Sequence, residues 1–147
     1  MAWSAIPGCP AEVPVVLRGL LDPDAAEKAE RALGFLVMSA PMHLSSVMPM
    51  VVPFLLRLAA DPSVPRRGEL FGVVLVAAVL SEPTDPDNPA ALAISGREED
   101  HPERSRCRSA FAANANWVRR LLADPSLRAR TEPLDDDRAG LRKAAGL

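Results

Sequence analysis

Tyrosine is absent, and the 147 residues include only six aromatic side chains, two histidines and two cysteines. Cys9 and Cys107 are too few and too widely separated for a disulfide framework or a zinc-ligand spacing. Free thiols in a reducing compartment are therefore expected, and with them a cytoplasmic protein. His43 and His101 each stand beside proline, in Pro41-Met42-His43 and His101-Pro102. A metal centre needs further ligands at helical or hairpin spacing, so neither a metal nor another cofactor is expected. Gly-x-Ser-x-Gly, His-Glu-x-x-His, phosphate-loop and dinucleotide fingerprints are also missing. No catalytic residue can be named, a Cys107 and His101 pair being generic, and the chain reads more readily as noncatalytic than as an enzyme.

Long apolar runs are lacking too. The longest, Leu70 to Leu80, has eleven residues including Gly72, whereas a helix crossing a bilayer needs about 20. It predicts a buried helix and no membrane partner. The first seven residues show no basic stretch leading into an apolar one, so no secretory signal is expected. Nor is there an excess of charge: 17 basic and 19 acidic residues give a net charge of -2, which removes the global electrostatic argument for nucleic-acid binding. With 48% hydrophobic and 24% charged residues, the chain reads as one globular domain.

Proline, by contrast, is abundant. Fifteen prolines are about twice the usual share near 5%, and they are placed periodically. At a shift of 39 residues, Pro10, Val13, Pro14, Leu17, Arg18, Asp22, Pro23, Glu30 and Leu36 fall on Pro49, Val52, Pro53, Leu56, Arg57, Asp61, Pro62, Glu69 and Leu75. A third copy, Val118 to Ser126, matches Leu55 to Ser63 at a shift of 63, and Arg-x-x-x-Asp-Pro is common to all three. The extra 24 residues are placed in the polar stretch before the third copy. Repeats of this period redefine every local signal.

Each copy predicts two helices. The first starts at Pro10 or Pro49, where a missing amide hydrogen costs nothing, and carries a second proline, Pro14 or Pro53, that either lies near that first turn or bends the helix, the bend being expected in both copies. Its apolar stripe is Val13, Val16, Leu17, Leu20 and Leu21, repeated as Val52, Leu55, Leu56, Ala59 and Ala60. Asp-Pro ends it, and the aspartate can cap the next helix. Second helices are expected at about Asp24 to Met38 and Val64 to Leu80. The latter is apolar nearly all round, as suits a helix covered on both sides. In the third copy one helix is predicted from Glu103 to Ala123. Pro133 then interrupts the chain, and a short terminal helix is expected from Asp135 to Ala145. No strand pattern competes, so the expected fold is all-α. Its segments are unit one (10–40), unit two (47–80), an insertion (81–104), and unit three with a C-terminal cap (105–147).

The period near 40, the proline-bearing first helix and the arginine and aspartate at the turn resemble the HEAT and armadillo helical repeats. The stretch Val52-Pro53-Phe54-Leu55-Leu56-Arg57-Leu58 is similar to helices of short bacterial HEAT-like proteins. The resemblance implies a short α-solenoid of about three antiparallel helix pairs. It also implies a noncatalytic protein-binding module, of the kind that serves as an immunity or regulatory protein.

The repeated pairs Arg18 with Asp22, Arg57 with Asp61 and Arg120 with Asp124 are expected to pair at i, i+4 or to ladder between units. From Arg104 to Arg130 seven arginines face only Asp124. Arg104, Arg108, Arg119 and Arg120, with Trp117, form a candidate binding stripe for phosphates or an acidic protein. Met38, Met42, Met48 and Met50 cluster around His43, where methionine suits either core filling or a pliable surface, and Met42 and His43 join the candidate binding residues. The insertion reads either as disordered or as a functional loop with a docking turn at Ala90 to Ile94, and the cluster Glu98, Glu99, Asp100 and Glu103 as a solvated loop preceding a helix.

These residues support three functions. A protein-binding module is the leading one. A nucleic-acid binder using Arg104 to Arg130 is the first alternative, and an enzyme or small-molecule binder with a pocket near Met38 to Met50 the second. A homodimer would cover the apolar helix after Gly72.

Overall fold

The computed structural model describes residues 9–128 and 135–147. Within them the fold is predominantly α-helical: α1 (Val13–Gly19), α2 (Ala26–Val37), α3 (Met48–Ala60), α4 (Arg67–Leu80), α5 (Pro89–Ser95), α6 (Pro102–Ala113), α7 (Ala115–Ala123), α8 (Pro125–Arg128) and α9 (Asp135–Ala144). The expectation that strands are absent is corrected at one place. Strands β1 (Met38–Ala40) and β2 (His43–Leu44) pair antiparallel between α2 and α3. Two serines hold this hairpin: Ser39 Oγ donates to the Leu44 carbonyl at 3.2 Å, and Ser45 Oγ donates to the Leu36 carbonyl at 2.5 Å. Strands this short carry no alternating pattern to read.

The paired prolines do not act alike. In unit one the helix begins at Val13, so Pro14 lies in its first turn, and Pro10 precedes it and accepts the Val13 amide at 3.2 Å. In unit two the helix begins at Met48, with Pro49 in the opening turn and Pro53 inside. The bend expected in both copies has a cause only in α3, because α1 starts later in the repeat. The turns, by contrast, are alike in all three copies. Asp22 Oδ1 accepts the Asp24 amide at 3.0 Å, Asp61 Oδ1 the Ser63 amide at 2.8 Å, and Asp124 Oδ1 the Ser126 amide at 2.9 Å. Aspartate before proline thus closes its own turn two residues on.

The single helix expected from Glu103 to Ala123 is two. Asn114 Nδ2 donates to the Ala110 carbonyl at 2.9 Å, taking the acceptor that the Asn114 amide would use in a continuing helix. That amide turns to Phe111 instead at 3.0 Å, and α7 starts afresh. The insertion is ordered. Asn88 caps α5 through the amides of Ala90 and Ala91, both at 3.1 Å, so the docking turn expected at Ala90 to Ile94 is a helix. Pro133 and Arg130 lie outside the described residues, as do residues 1–8 and the side chain of Arg128.

Helix α1 packs on α2, while α3 packs on α4, α6 and α7. Helix α4 lies between α3 and α9 and also touches α6 and α2. One apolar core runs from Val13 to Ala145, and α3 and α4 bury Val51, Val52, Leu55, Leu56, Leu70, Phe71 and Val74 in it. The cover expected for α4 is incomplete, since Val76 and Val79 are exposed. Two adjacent arginines tie the segments together. Arg66 pairs with Glu30 of α2, and Arg67 Nη2 donates to Asp124 Oδ2 at 2.5 Å.

Candidate functional site

A trough opens between α2 and α4 and is closed at one end by the hairpin. Its deeper part, about 290 Å³, is lined by Gly34, Val37, Met38, Leu44, Met48, Gly72, Val73, Val76 and Ala77. A shallower part, about 540 Å³, shares Gly34 and Met38 and continues to Arg31, Phe35, Ser39, Ala40 and Pro41. Together they reach the size of small-molecule and side-chain pockets, roughly 300–1,000 Å³. Two glycines make the space. A Cβ built on Gly34 or Gly72 would meet nothing within 4 Å, although glycine inside a helix costs about 0.5–1 kcal/mol relative to alanine. On the trough's walls Phe35 is 86% exposed and Val76 more than half exposed, and Met42, in the turn between β1 and β2, is also more than half exposed. Met42 has a φ of 64°, a left-handed conformation that a bulky side chain rarely takes and that is often found at binding sites.

The arginines expected to form a binding stripe divide into two sets. Arg104 is 4% exposed. Its Nη1 donates to Thr84 Oγ1 at 2.6 Å and its Nη2 to the Ser95 carbonyl at 2.8 Å. One helical turn on, Arg108 donates to the Ser81 carbonyl and pairs with Glu98. Both guanidinium groups are therefore spent inside the molecule, holding the insertion against α6. Arg119 and Arg120 are exposed on α7, and the Arg120 guanidinium stacks 5.5 Å from the Trp117 ring centre.

His43 and His101, distant in sequence, meet with ring centres 5.2 Å apart. His43 Nδ1 lies 2.9 Å from the Pro41 carbonyl; that oxygen only accepts, so Nδ1 carries the proton. His101 Nδ1 bonds Glu103 at 3.0 Å. The hairpin thereby touches the end of the insertion. Among the described residues no group of three or more histidine, cysteine, aspartate or glutamate side chains is placed to hold a metal ion. Cys107 is fully buried, and burial, reinforced by Glu103, pushes its thiol up to about 12. It is not an activated nucleophile.

The repeated arginine and aspartate pairs do not pair within their helices. Asp61 is held below the usual carboxylate range chiefly by Ser63. Asp124 is held down to about 2 by Ser126 and Arg67. The ladder between segments exists, but Arg66 and Arg67 carry it. Reading the sequence for sites also misses Gly34, Phe35, Gly72 and Val76. The signal present is two glycines inside apolar helices and a phenylalanine off the buried stripe of α2, which is Ala26, Ala29, Leu33 and Val37.

Fold and site together define a predominantly all-α chain with an open apolar trough. No helix among the described residues is long and apolar enough to cross a membrane. No family model, curated protein or solved structure matches the chain.

Proposed function

We propose that the protein is a noncatalytic, HEAT-like binding module that holds a protein partner through the trough between α2 and α4. The observation that carries this is the pair of helix-interior glycines, Gly34 and Gly72, facing one apolar space that no side chain of the described residues fills. A bulky apolar side chain of the partner is the matching anchor, because such anchors in desolvated pockets supply most interface energy. Phe35 at the rim and the left-handed Met42 give the partner a further apolar surface. Repeated Asp-Pro turns and the arginine ties between segments support a solenoid of stacked helix pairs. An immunity or regulatory protein is the kind of module this describes.

The nucleic-acid reading loses Arg104 and Arg108 to internal contacts. The test is affinity capture from the native host with wild-type protein, Phe35→Asp, Gly72→Leu and Arg119→Glu/Arg120→Glu. Loss of the same captured protein in the first two variants and retention in the third supports the trough. A wild-type chain that instead dimerises in sedimentation, and is made monomeric by Phe35→Asp, would assign the trough to a second copy.

A further inference from the structure

The two parts of the trough between α2 and α4 differ in chemistry. No hydroxyl, amide or charged side chain lines the deeper part of about 290 Å³, whose walls include Val37, Leu44, Met48 and Val76. Whatever enters it must be hydrocarbon, because a polar group buried there would find no partner among the side chains. The shallower part of about 540 Å³ continues from Gly34 and Met38 and has one charged residue on its wall, Arg31. Its only hydroxyl, on Ser39, is engaged with the Leu44 carbonyl at 3.2 Å. Arg31 lies seven residues before Met38, where α2 ends, about 10 Å along the helix axis. The trough thus combines an apolar floor with a single cation towards the start of α2. Arg31 is held there loosely. Its one ion pair among the described residues is with Glu27 at 3.3 Å, both side chains being about 70% exposed, and exposed pairs four residues apart on a helix are weak. The neighbouring Glu30 and Glu69 are both paired with Arg66.

We propose that the trough takes a straight-chain carboxylic acid of medium length, with its hydrocarbon tail in the deeper part and its carboxylate on Arg31 in place of Glu27. Met38 and Met48 in the deeper part can adapt to a flexible chain, and Phe35 lies along the shallower part. This ligand rests on the reading of the trough as the binding site of the chain, and while bound it would exclude the apolar anchor of a protein partner.

The probes are octanoate, decanoate and dodecanoate, with decyltrimethylammonium as the control of opposite charge, all titrated below the concentrations at which they form micelles. Calorimetry gives the affinity, and the NMR signals of methyl-labelled methionine give the place. Affinity should rise about twofold to fourfold for each added CH₂. Decanoate should bind better than the cation, by a margin that shrinks as salt rises. The methyl signals of Met38 and Met48 should move, and those of Met42 and Met50, which line neither part, should stay. Gly72→Leu, with its folding checked by circular dichroism, should abolish binding. Arg31→Gln should weaken decanoate about twofold to fivefold. Glu27→Gln should strengthen it by removing the competing carboxylate, a gain that no loss of folding can imitate. Arg106→Gln, on α6, which lines neither part of the trough, should change nothing. Equal affinity across the three chain lengths, no preference for the anion, indifference to both the Arg31 and Glu27 substitutions, or binding only as micelles would each overturn the proposal. Acid binding is measured on the chain alone, so its absence beside a captured protein that depends on Phe35 and Gly72 overturns this ligand and not the partner. Acid bound with no protein captured leaves the ligand standing and overturns the partner.

Discussion

Arg67 and Asp124 are 57 residues apart, and their side chains meet at 2.5 Å. Arg67 is only 12% exposed at its side chain and also donates to the Ala59 carbonyl at 2.9 Å. It therefore fastens the start of α4 both to the end of α3 and to the turn before α8. Its neighbour Arg66 reaches the other way, to Glu30. The three copies of the repeat are joined through one dipeptide.

Replacing Arg67 by alanine should destabilise the fold by about 1–3 kcal/mol, the range for hydrogen bonds to charged partners that become unsatisfied. Arg57→Ala, at an exposed position with no ion pair among the described residues, should change stability by no more than about 0.5 kcal/mol. Urea unfolding of the two variants measures the contrast. Equal losses would mean that the tie between segments contributes nothing.

Asp124 makes the same tie sensitive to acid. Its carboxyl is held at about 2, below its ordinary value of 3.8, first by Ser126 and then by Arg67. The folded pKa is depressed, so the unfolded chain takes up the proton first. Stability from this group is complete above the unfolded value and drains away as pH falls from about 4 towards 2. Asp124→Asn should be less stable than wild type at neutral pH and should lose less on acidification across that window, as thermal melts at stepped pH would record.

Gly34→Ala and Gly72→Ala should each stabilise the protein by about 0.5–1 kcal/mol, because the helix gains propensity and the added methyl meets nothing. Gly96→Ala should act oppositely, costing about 1–2 kcal/mol or more. Its φ is +69°, and a Cβ there would stand 2.6 Å from His101 Nε2. Melting temperatures decide both signs, and a stabilised Gly72→Ala that still captures its partner would weaken the case for the trough.

The two thiols should differ in reactivity. Cys107 is fully buried with its thiol pushed up to about 12, while Cys9 is only half-buried. At neutral pH a thiol reagent should label Cys9 alone in the native protein and both after denaturation, as peptide mass mapping would show. Rapid native labelling of Cys107 would contradict its burial.

Much of the helical layout is legible in the sequence because periodic apolar residues and the Asp-Pro turns are local signals. The second helix of unit one, expected from Asp24 to Met38, runs from Ala26 to Val37. The break at Asn114 is not legible, since it depends on one side-chain amide competing for one carbonyl. Arg104 and Arg108 read as a surface stripe because sequence records charge and not direction; only the folded insertion shows that they point inward. Conversely, the repeated Arg-x-x-x-Asp pattern is visible but suggests the wrong ion pairs, because serine after proline offers the aspartate a nearer partner at Asp61 and Asp124.

The grip of Arg104 on Thr84 and Ser95 has a bearing on how this chain can change length. A shortened relative lacking residues 81–104 would remove Arg104 with its partners, but it would leave Arg108 facing α4 without Glu98. A deletion that stops short of residue 104 would strand a buried guanidinium, at several kcal/mol. The extra loop and the two arginines that grip it can therefore be lost only together, and any natural or designed variant that trims the loop should keep α6 but carry a neutral residue in place of both arginines.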